Sequence, residues 1–203
     1  MLCLKVPTDG GWATAAARDA NATLVDHAHC EMKAATNALS LATRHCGDLD
    51  LVLALSALAR EEIEHFARVV EILGRRGVAL GPPAVDAYAA ELRRATSTLP
   101  RDPTLPLVVD RLLVGALIEA RSCERFQLLA TVTEDPELRS LWSELLASEA
   151  RHYRTFMDLA VRAAAGDRDR VVARLDYLAS IEGAIVTDLA EQGASASRAS
   201  IHG

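Results

Sequence analysis

The sequence is short of aromatics, of lysine and of paired cysteines, and each shortage excludes something. Only 4% of its 203 residues are Phe, Trp or Tyr, and no stretch alternates convincingly as a strand. The four cysteines, Cys3, Cys30, Cys46 and Cys123, form no CxxC pair or disulfide framework, so reduced thiols and a cytoplasmic location are expected. No apolar run is long enough to span a membrane. The start, "MLCLKVPTDGGW", lacks the basic-then-apolar order of a signal peptide. There are 20 Arg but only 2 Lys, and the net charge is −6. That balance argues against non-specific nucleic-acid binding. Arginine is the better fork for phosphate and stacks on bases, but GC-rich coding also enriches it and takes the larger share of the explanation. What remains is alanine, leucine and arginine with few Gly and Pro, and 50% hydrophobic residues. This is an all-helical composition, in a chain long enough for one domain with a sizeable core.

The breakers divide the chain into helices. Residues 1 to 13 read as irregular. A helical pattern runs from about Thr14 to Cys46, where Gly47 stops it. Asp48 caps a second helix to about Arg76, ended by Gly77. "GPP" at 81 to 83 precedes a short helix over about 84–98, and "LPRDPTLP" at 99 to 106 is the largest non-helical connection. Helices follow over about 107–133, from "EDPE" to about Ala165, and over about 168–191. The expected architecture is a four-helix bundle with an added short and a terminal helix, forming one domain over residues 1–192. The polar tail 193–203 is expected to be disordered.

The second long helix, traced in steps of four and three, reads Leu51, Leu55, Leu58, Glu62, His65, Val69, Ile72. This is a core stripe with a carboxylate and an imidazole at its centre. The fifth helix repeats it: Leu138, Trp142, Leu145, Glu149, His152, Phe156, Leu159. The fourth carries Glu119 on its stripe, between Ala116 and Cys123, and the first carries Glu31, between Ala28 and Ala35. Glu31 precedes Glu62 by 31 residues and Glu119 precedes Glu149 by 30, as if one helix-pair unit were used twice. Isolated buried carboxylates cost several kcal/mol or become neutral. Four facing one core need positive charge, and no Lys or Arg occupies these stripes. Four carboxylates and two imidazoles are the ligand set of a ferritin-like di-iron or di-manganese bundle, and such O/N donors suit those metals better than thiolate-preferring ones.

One Glu-x-x-His would mean nothing, since about 0.4 copies are expected by chance in such a chain. Two on core stripes, each with a partner Glu at matched spacing, are a motif. Glu61 also lies one turn from His65, but the phase of the stripe selects Glu62. Glu64, Glu124 and Glu144 fall off the stripes and read as surface charges. His27 and His29 flank Cys30 on a partly buried face, and His27 sits one turn from Glu31, where it could support that carboxylate. Cys123 reads as a small core residue. Tyr153, Trp12 and Trp142 read as packing residues. A bundle of this kind could store iron, reduce peroxide or activate dioxygen. The alternative to an enzyme with an organic substrate is an iron-binding ferroxidase bundle without one.

Four segments narrow this choice. "DHAHCEMKAATNALSL" (26 to 41), "LAREEIEHFARV" (58 to 69), "EARSCERF" (119 to 126) and "SEARHYRTF" (148 to 156) resemble the MiaE-type tRNA hydroxylases of the ferritin-like di-iron superfamily. The likeness extends from about Trp12 through "RLDYLASIEG". It implies a non-haem di-iron monooxygenase that hydroxylates the isopentenyl chain of (2-methylthio-)N6-isopentenyl-adenosine beside the anticodon of tRNA. It also implies O2 as co-substrate and two iron ions held by Glu31, Glu62, His65, Glu119, Glu149 and His152. Electrons would come from an external reductase, since no flavin or nicotinamide motif is present. A monomer or small homo-oligomer is expected. The acidic balance fits a tRNA partner poorly unless a local basic patch supplies phosphate contacts. Arg75–Arg76, Arg93–Arg94, Arg101 and the group Arg168, Arg170, Arg174 are the candidates.

Overall fold

The computed structural model describes residues 2–83 and 87–193, the last two by backbone alone. All regular elements among them are α-helices: α1 Trp12–Arg18, α2 Ala20–Arg44, α3 Leu49–Arg75, α4 Ala87–Thr98, α5 Leu107–Val132, α6 Pro136–Ala163 and α7 Arg168–Gly193. The described residues contain no strand. The first helix expected from the sequence is two. Asp19 leaves helical geometry and its side chain accepts from the Ala22 N–H, so it caps α2 and interrupts the run begun at Trp12. Gly193, expected in the tail, closes α7; a glycine at a helix end costs little. Residues 194–203 and 84–86 lie outside the described residues.

The chain falls into two compact units, Ala16–Val85 and Met1–Ala15 with Asp86–Gly203. In the first, α2 packs against α3 across the short link 45–48. The Asp48 side chain accepts from Leu51 N–H at the start of α3, and Gly77, at φ +67, turns the chain after it. The stripe Leu51, Leu55, Leu58, Val69 and Ile72 is buried, as are Leu24, Ala28, Ala35 and Ala38 on α2. Each fully buried leucine contributes about 1.5–3 kcal/mol relative to exposure.

In the second unit α5 packs against α6, and α7 packs against α4, α5 and α6. Asp135 caps α6 by accepting from Glu137 and Leu138 N–H, with Pro136 in the first turn. Helix α5 is buried around much of its circumference: Val109, Leu112, Leu113, Ala116, Leu117, Ala120, Cys123 and Phe126 are all inaccessible or nearly so. At Gly115 the Phe156 ring of α6 packs against the helix backbone; a Cβ there would meet it at 2.8 Å.

Candidate metal centre

In the α2–α3 unit the core stripes bring Glu31, Glu62 and His65 together. Each offers one donor atom, and the three atoms lie within 4.8 Å of one another. His65 Nδ1 is 3.3 Å from Glu62 Oε2 and 3.6 Å from Glu31 Oε2. Glu31 and Glu62 are 3% and 1% exposed, whereas the His65 side chain keeps 16% of its surface. His27, fully buried one turn before Glu31, approaches Glu31 Oε1 with Nε2 at 2.8 Å, an ion-pair contact rather than an aligned hydrogen bond. His27 therefore stands behind Glu31. Glu61 is only half-buried and Glu64 is exposed beside Arg60, whereas Glu62, on the phase of the stripe, is buried.

The α5–α6 unit repeats the arrangement. Glu119, Glu149 and His152 are buried, and their donor atoms again lie within 4.8 Å of one another. His152 Nδ1 is 3.2 Å from Glu149 Oε2, within 0.1 Å of the His65–Glu62 separation. Two donors each about 2.1 Å from one cation, at roughly a right angle or slightly more, are about 3.0–3.3 Å apart. The chemistry of the donors agrees: each unit buries two carboxylates beside an imidazole, buried for His152 and partly exposed for His65, with no lysine or arginine on the same stripe. A divalent cation satisfies both the charge and the spacing.

Neighbouring side chains limit what else could bind. Burial, and then the charge of Glu149, push the Cys123 thiol up to about 12, and its Sγ faces the Leu146 carbonyl at 3.8 Å. It is a protonated core residue, as expected. Tyr153 is half-buried and its phenol is raised by burial and by its hydrogen-bond partner Cys3. Trp142 stacks on Phe126 at 5.7 Å, which makes it a packing residue. His29 is buried like His27 but is not in either donor cluster.

Two expectations fail. Glu124 is not a surface charge: it accepts from Arg121, from the Thr8 hydroxyl and from Thr8 N–H. Arg174 is not available to a phosphate: it is 8% exposed, forks onto Asp110 at 2.8 and 2.7 Å, and donates to the Pro100 carbonyl. Glu124 belongs to a buried ionic layer that sequence reasoning missed. Arg121, fully buried, donates to both oxygens of buried Glu182 at 2.9 and 3.0 Å, and to Thr8 and the Val6 carbonyl. Tyr88 donates to Glu182 at 3.0 Å. Burial opposes the charge on Arg121, but Glu182 more than offsets it and holds the guanidinium above its usual value. Arg125 is lowered to about 10 by burial and lies over the rings of Trp12 and Tyr88 at 5.0 and 5.8 Å. A signal existed. A helix apolar on nearly every side is covered on nearly every side, so Arg121 and Arg125, in its central and C-terminal turns, are buried with partners.

The remaining arginine candidates vary. Arg75, Arg93, Arg94, Arg101, Arg168 and Arg170 are exposed. Arg94 pairs with Glu91 and Arg170 with Asp167. No helix among the described residues is long and apolar enough to cross a membrane.

The profile of one protein family, described as tRNA-(MS2IO6A)-hydroxylase (MiaE), matches residues 1–194. A relative from Pseudomonas putida, named tRNA 2-(methylsulfanyl)-N(6)-isopentenyladenosine(37) hydroxylase, is 46% identical over 157 residues, 77% of this chain and 74% of that protein. A relative of the same name from Salmonella typhimurium is 28% identical over 90% of this chain and 83% of its own length. Among solved structures, a Synechococcus protein titled as having aldehyde deformylating oxygenase activity superposes with a TM-score of 0.81 at 40% identity, covering 91% of this chain and 89% of that one. The fold class is thus all-α and ferritin-like, as expected.

Proposed function

This chain belongs to the MiaE family of tRNA hydroxylases, and from that premise we propose that it hydroxylates the isopentenyl chain of 2-(methylsulfanyl)-N6-isopentenyladenosine at position 37 of tRNA. One observation carries the chemical side of this reading. The same Glu, Glu and His cluster occurs on two helix pairs, buried, with matching His Nδ1 to carboxylate separations of 3.3 and 3.2 Å. We take the two clusters as the halves of one dinuclear site within a single ferritin-like domain over 1–192. Glu31, Glu62, His65, Glu119, Glu149 and His152 are its six ligands and iron is its metal. Four carboxylates balance four positive charges, so a pair of divalent ions leaves the core neutral.

Iron held there supplies the capacity to activate dioxygen with electrons from an external reductase. The chain's own residues do the rest. Glu62 and Glu149 stand beside the Nδ1 edges of His65 and His152 as neighbouring donors to the same ion. The leucine and phenylalanine stripes that flank the ligands exclude water, and their apolar surface suits an isopentenyl chain. His65 is the one donor with appreciable exposure. The partners are tRNA and the reductase, the location is the cytoplasm, and the assembly is a monomer or small homo-oligomer.

A second reading has an observation behind it: the Synechococcus structure, at 40% identity, carries an aldehyde activity in its title. An iron-oxidising bundle without an organic substrate is the third. The test supplies the iron-loaded protein with reductant and oxygen, together with prenylated tRNA or a long-chain aldehyde. Digested nucleosides are then weighed and the headspace is assayed for released one-carbon product. One added oxygen on the prenylated adenosine, lost in Glu149→Ala, supports the hydroxylase. Aldehyde turnover with unmodified nucleoside moves the function to the second reading. Oxygen consumption with neither product moves it to iron oxidation.

A further inference from the structure

On each of the four long helices that carry donors, the residues one place after the donor stripe form a second row. On α5 and α6 these rows are covered. Leu113, Leu117 and Ala120 of α5 and Met157 and Ala160 of α6 are buried. In the same rows Glu124 meets Thr8 and Tyr153 meets Cys3. The cover comes from α7, which packs against both helices, and from residues 2–8. On α2 and α3 the matching rows are open. From Met32 the α2 row reads Met32, Thr36, Leu39, Thr43, and all four are exposed; His29, one turn earlier, is buried and closes that end. The Thr36 and Thr43 hydroxyls donate to the carbonyls of Met32 and Leu39, so they are spent on their own helix. The α3 row reads Leu49, Val52, Ser56, Ala59, Ile63, Phe66, Val70, half-buried or exposed except for Ala59. Leu49 is 71%, Leu39 49% and Ile63 47% exposed. Neither run contains a charged side chain. Helices α2 and α3 pack antiparallel across the link 45–48, and rows of equal phase then fall on one side of the pair.

We propose that this face is the interface of a two-fold dimer, in which a second copy of the chain covers on α2 and α3 what α7 and residues 2–8 cover on α5 and α6. A two-fold interface sets one patch against itself, so any charge on it meets a like charge nearby. The chain carries a net charge of −6, and this uncharged face is where two copies approach without that repulsion. The absence of cations also makes it a poor surface for phosphate or for anionic lipid. The area is sufficient. Helix α3 has 27 residues, which is about 40 Å of length. Neighbouring helices lie about 10 Å apart, so α3 and the open half of α2 present about 600 Å² per copy. A pair buries about 1,200 Å², above the roughly 1,000 Å² that a specific interface clears. The proposal goes beyond the hydroxylase reading and stands or falls without it.

The test is sedimentation velocity of the metal-loaded full chain from low to high micromolar concentration. Wild type should reach a dimer. Leu39→Glu with Leu49→Glu brings carboxylates from both copies into one apolar joint and should raise the dimer dissociation constant at least about a hundredfold. Both sites are exposed, so the fold should tolerate the change, and unaltered helicity and metal content check that it does. Ser56→Arg, at an exposed polar site in the same row, should weaken the dimer in the same direction. Leu107→Glu with Val172→Glu, at exposed apolar sites of the other unit, should leave it unchanged. A wild type that stays monomeric at the highest concentration overturns the proposal, and flotation of that monomer with phosphatidylcholine vesicles would assign the face to a lipid surface. A dimer that survives both Leu39→Glu with Leu49→Glu and Ser56→Arg has its interface elsewhere and overturns it too.

Discussion

The α2–α3 pair and the α5–α6 pair carry the same donors but hold them differently. Glu31 is supported from within its own helix by the imidazole of His27, 2.8 Å away and one turn back. Glu119 has no such neighbour in sequence; its helix is gripped from behind by the Arg121, Glu182 and Tyr88 layer, which also ties down Val6 and Thr8. His65 keeps some exposure while His152 is closed off. The inner carboxylates and imidazoles, which could share a cation, answer one chemical demand and so repeat. The outer residues answer to whatever covers each pair, and there the halves diverge.

The sharpest way to break the comparison is at the donors. If the halves are equivalent, Glu62→Ala and Glu149→Ala should both abolish hydroxylation and both lower bound iron from two equivalents toward one or none, read by metal analysis and nucleoside mass spectrometry. Retention of product by one variant alone would make the halves unequal in chemistry as well as in support. Next in size is the ionic layer. Arg121→Ala leaves Glu182 buried without its fork and should destabilise the fold by about 3–5 kcal/mol, read by urea unfolding. Arg121→Met combined with Glu182→Leu should recover much of that loss, because replacing both members of a buried pair by apolar residues is often close to neutral.

His27→Ala sharpens the contrast in the other half. A residue that orients a ligand is worth roughly 10- to 100-fold in metal affinity, so iron or manganese titration should show a loss of that order while the urea midpoint moves little. The opposite pattern, a large change in stability with normal affinity, would make His27 a packing residue like its neighbour Cys30.

Most of the fold and the donors were legible because they rest on periodicity. Leu51, Leu55, Leu58 and Val69 mark a buried stripe whatever the rest of the chain does, and a carboxylate on such a stripe demands a counter-charge. The break at Asp19 was not legible because Asp19, Ala20 and Asn21 read equally as helix interior or as cap; the choice falls to one hydrogen bond, from Ala22 N–H to the Asp19 side chain. Glu124 and Arg174 were misjudged for a different reason. Their positions lie off the metal-facing stripe, and off-stripe was taken as exposed. For Glu124 on α5 that inference fails because α4, α7 and residues 2–11 supply a second buried side, and Arg174 on α7 is turned inward by its fork onto Asp110. Long-range partners such as Arg121 with Glu182, 61 residues apart, leave no local pattern to read.

Tyr88 offers the finest test of how that layer works, since one atom can be removed without disturbing a ring. Its hydroxyl donates to Glu182 at 3.0 Å from a fully buried position. Tyr88→Phe keeps the packing over Arg125 and removes the donor, so it should cost about 1–2 kcal/mol near neutral pH, far less than Arg121→Ala, because Arg121 still satisfies both Glu182 oxygens. The pH dependence fixes the cause. Burial, and after it the charge of Glu182, raise the Tyr88 phenol well above its ordinary value near 10. A group raised in the folded state contributes stability that is fully present below the unfolded pKa and is lost as pH climbs through the folded one. Wild type should therefore lose stability faster than the phenylalanine variant above about pH 10, and the two denaturation curves should converge there. Curves that stay parallel would mean the hydroxyl stabilises the fold without being coupled to the buried charges of Arg121, Arg125 and Glu182, and the layer would then be a set of separate contacts.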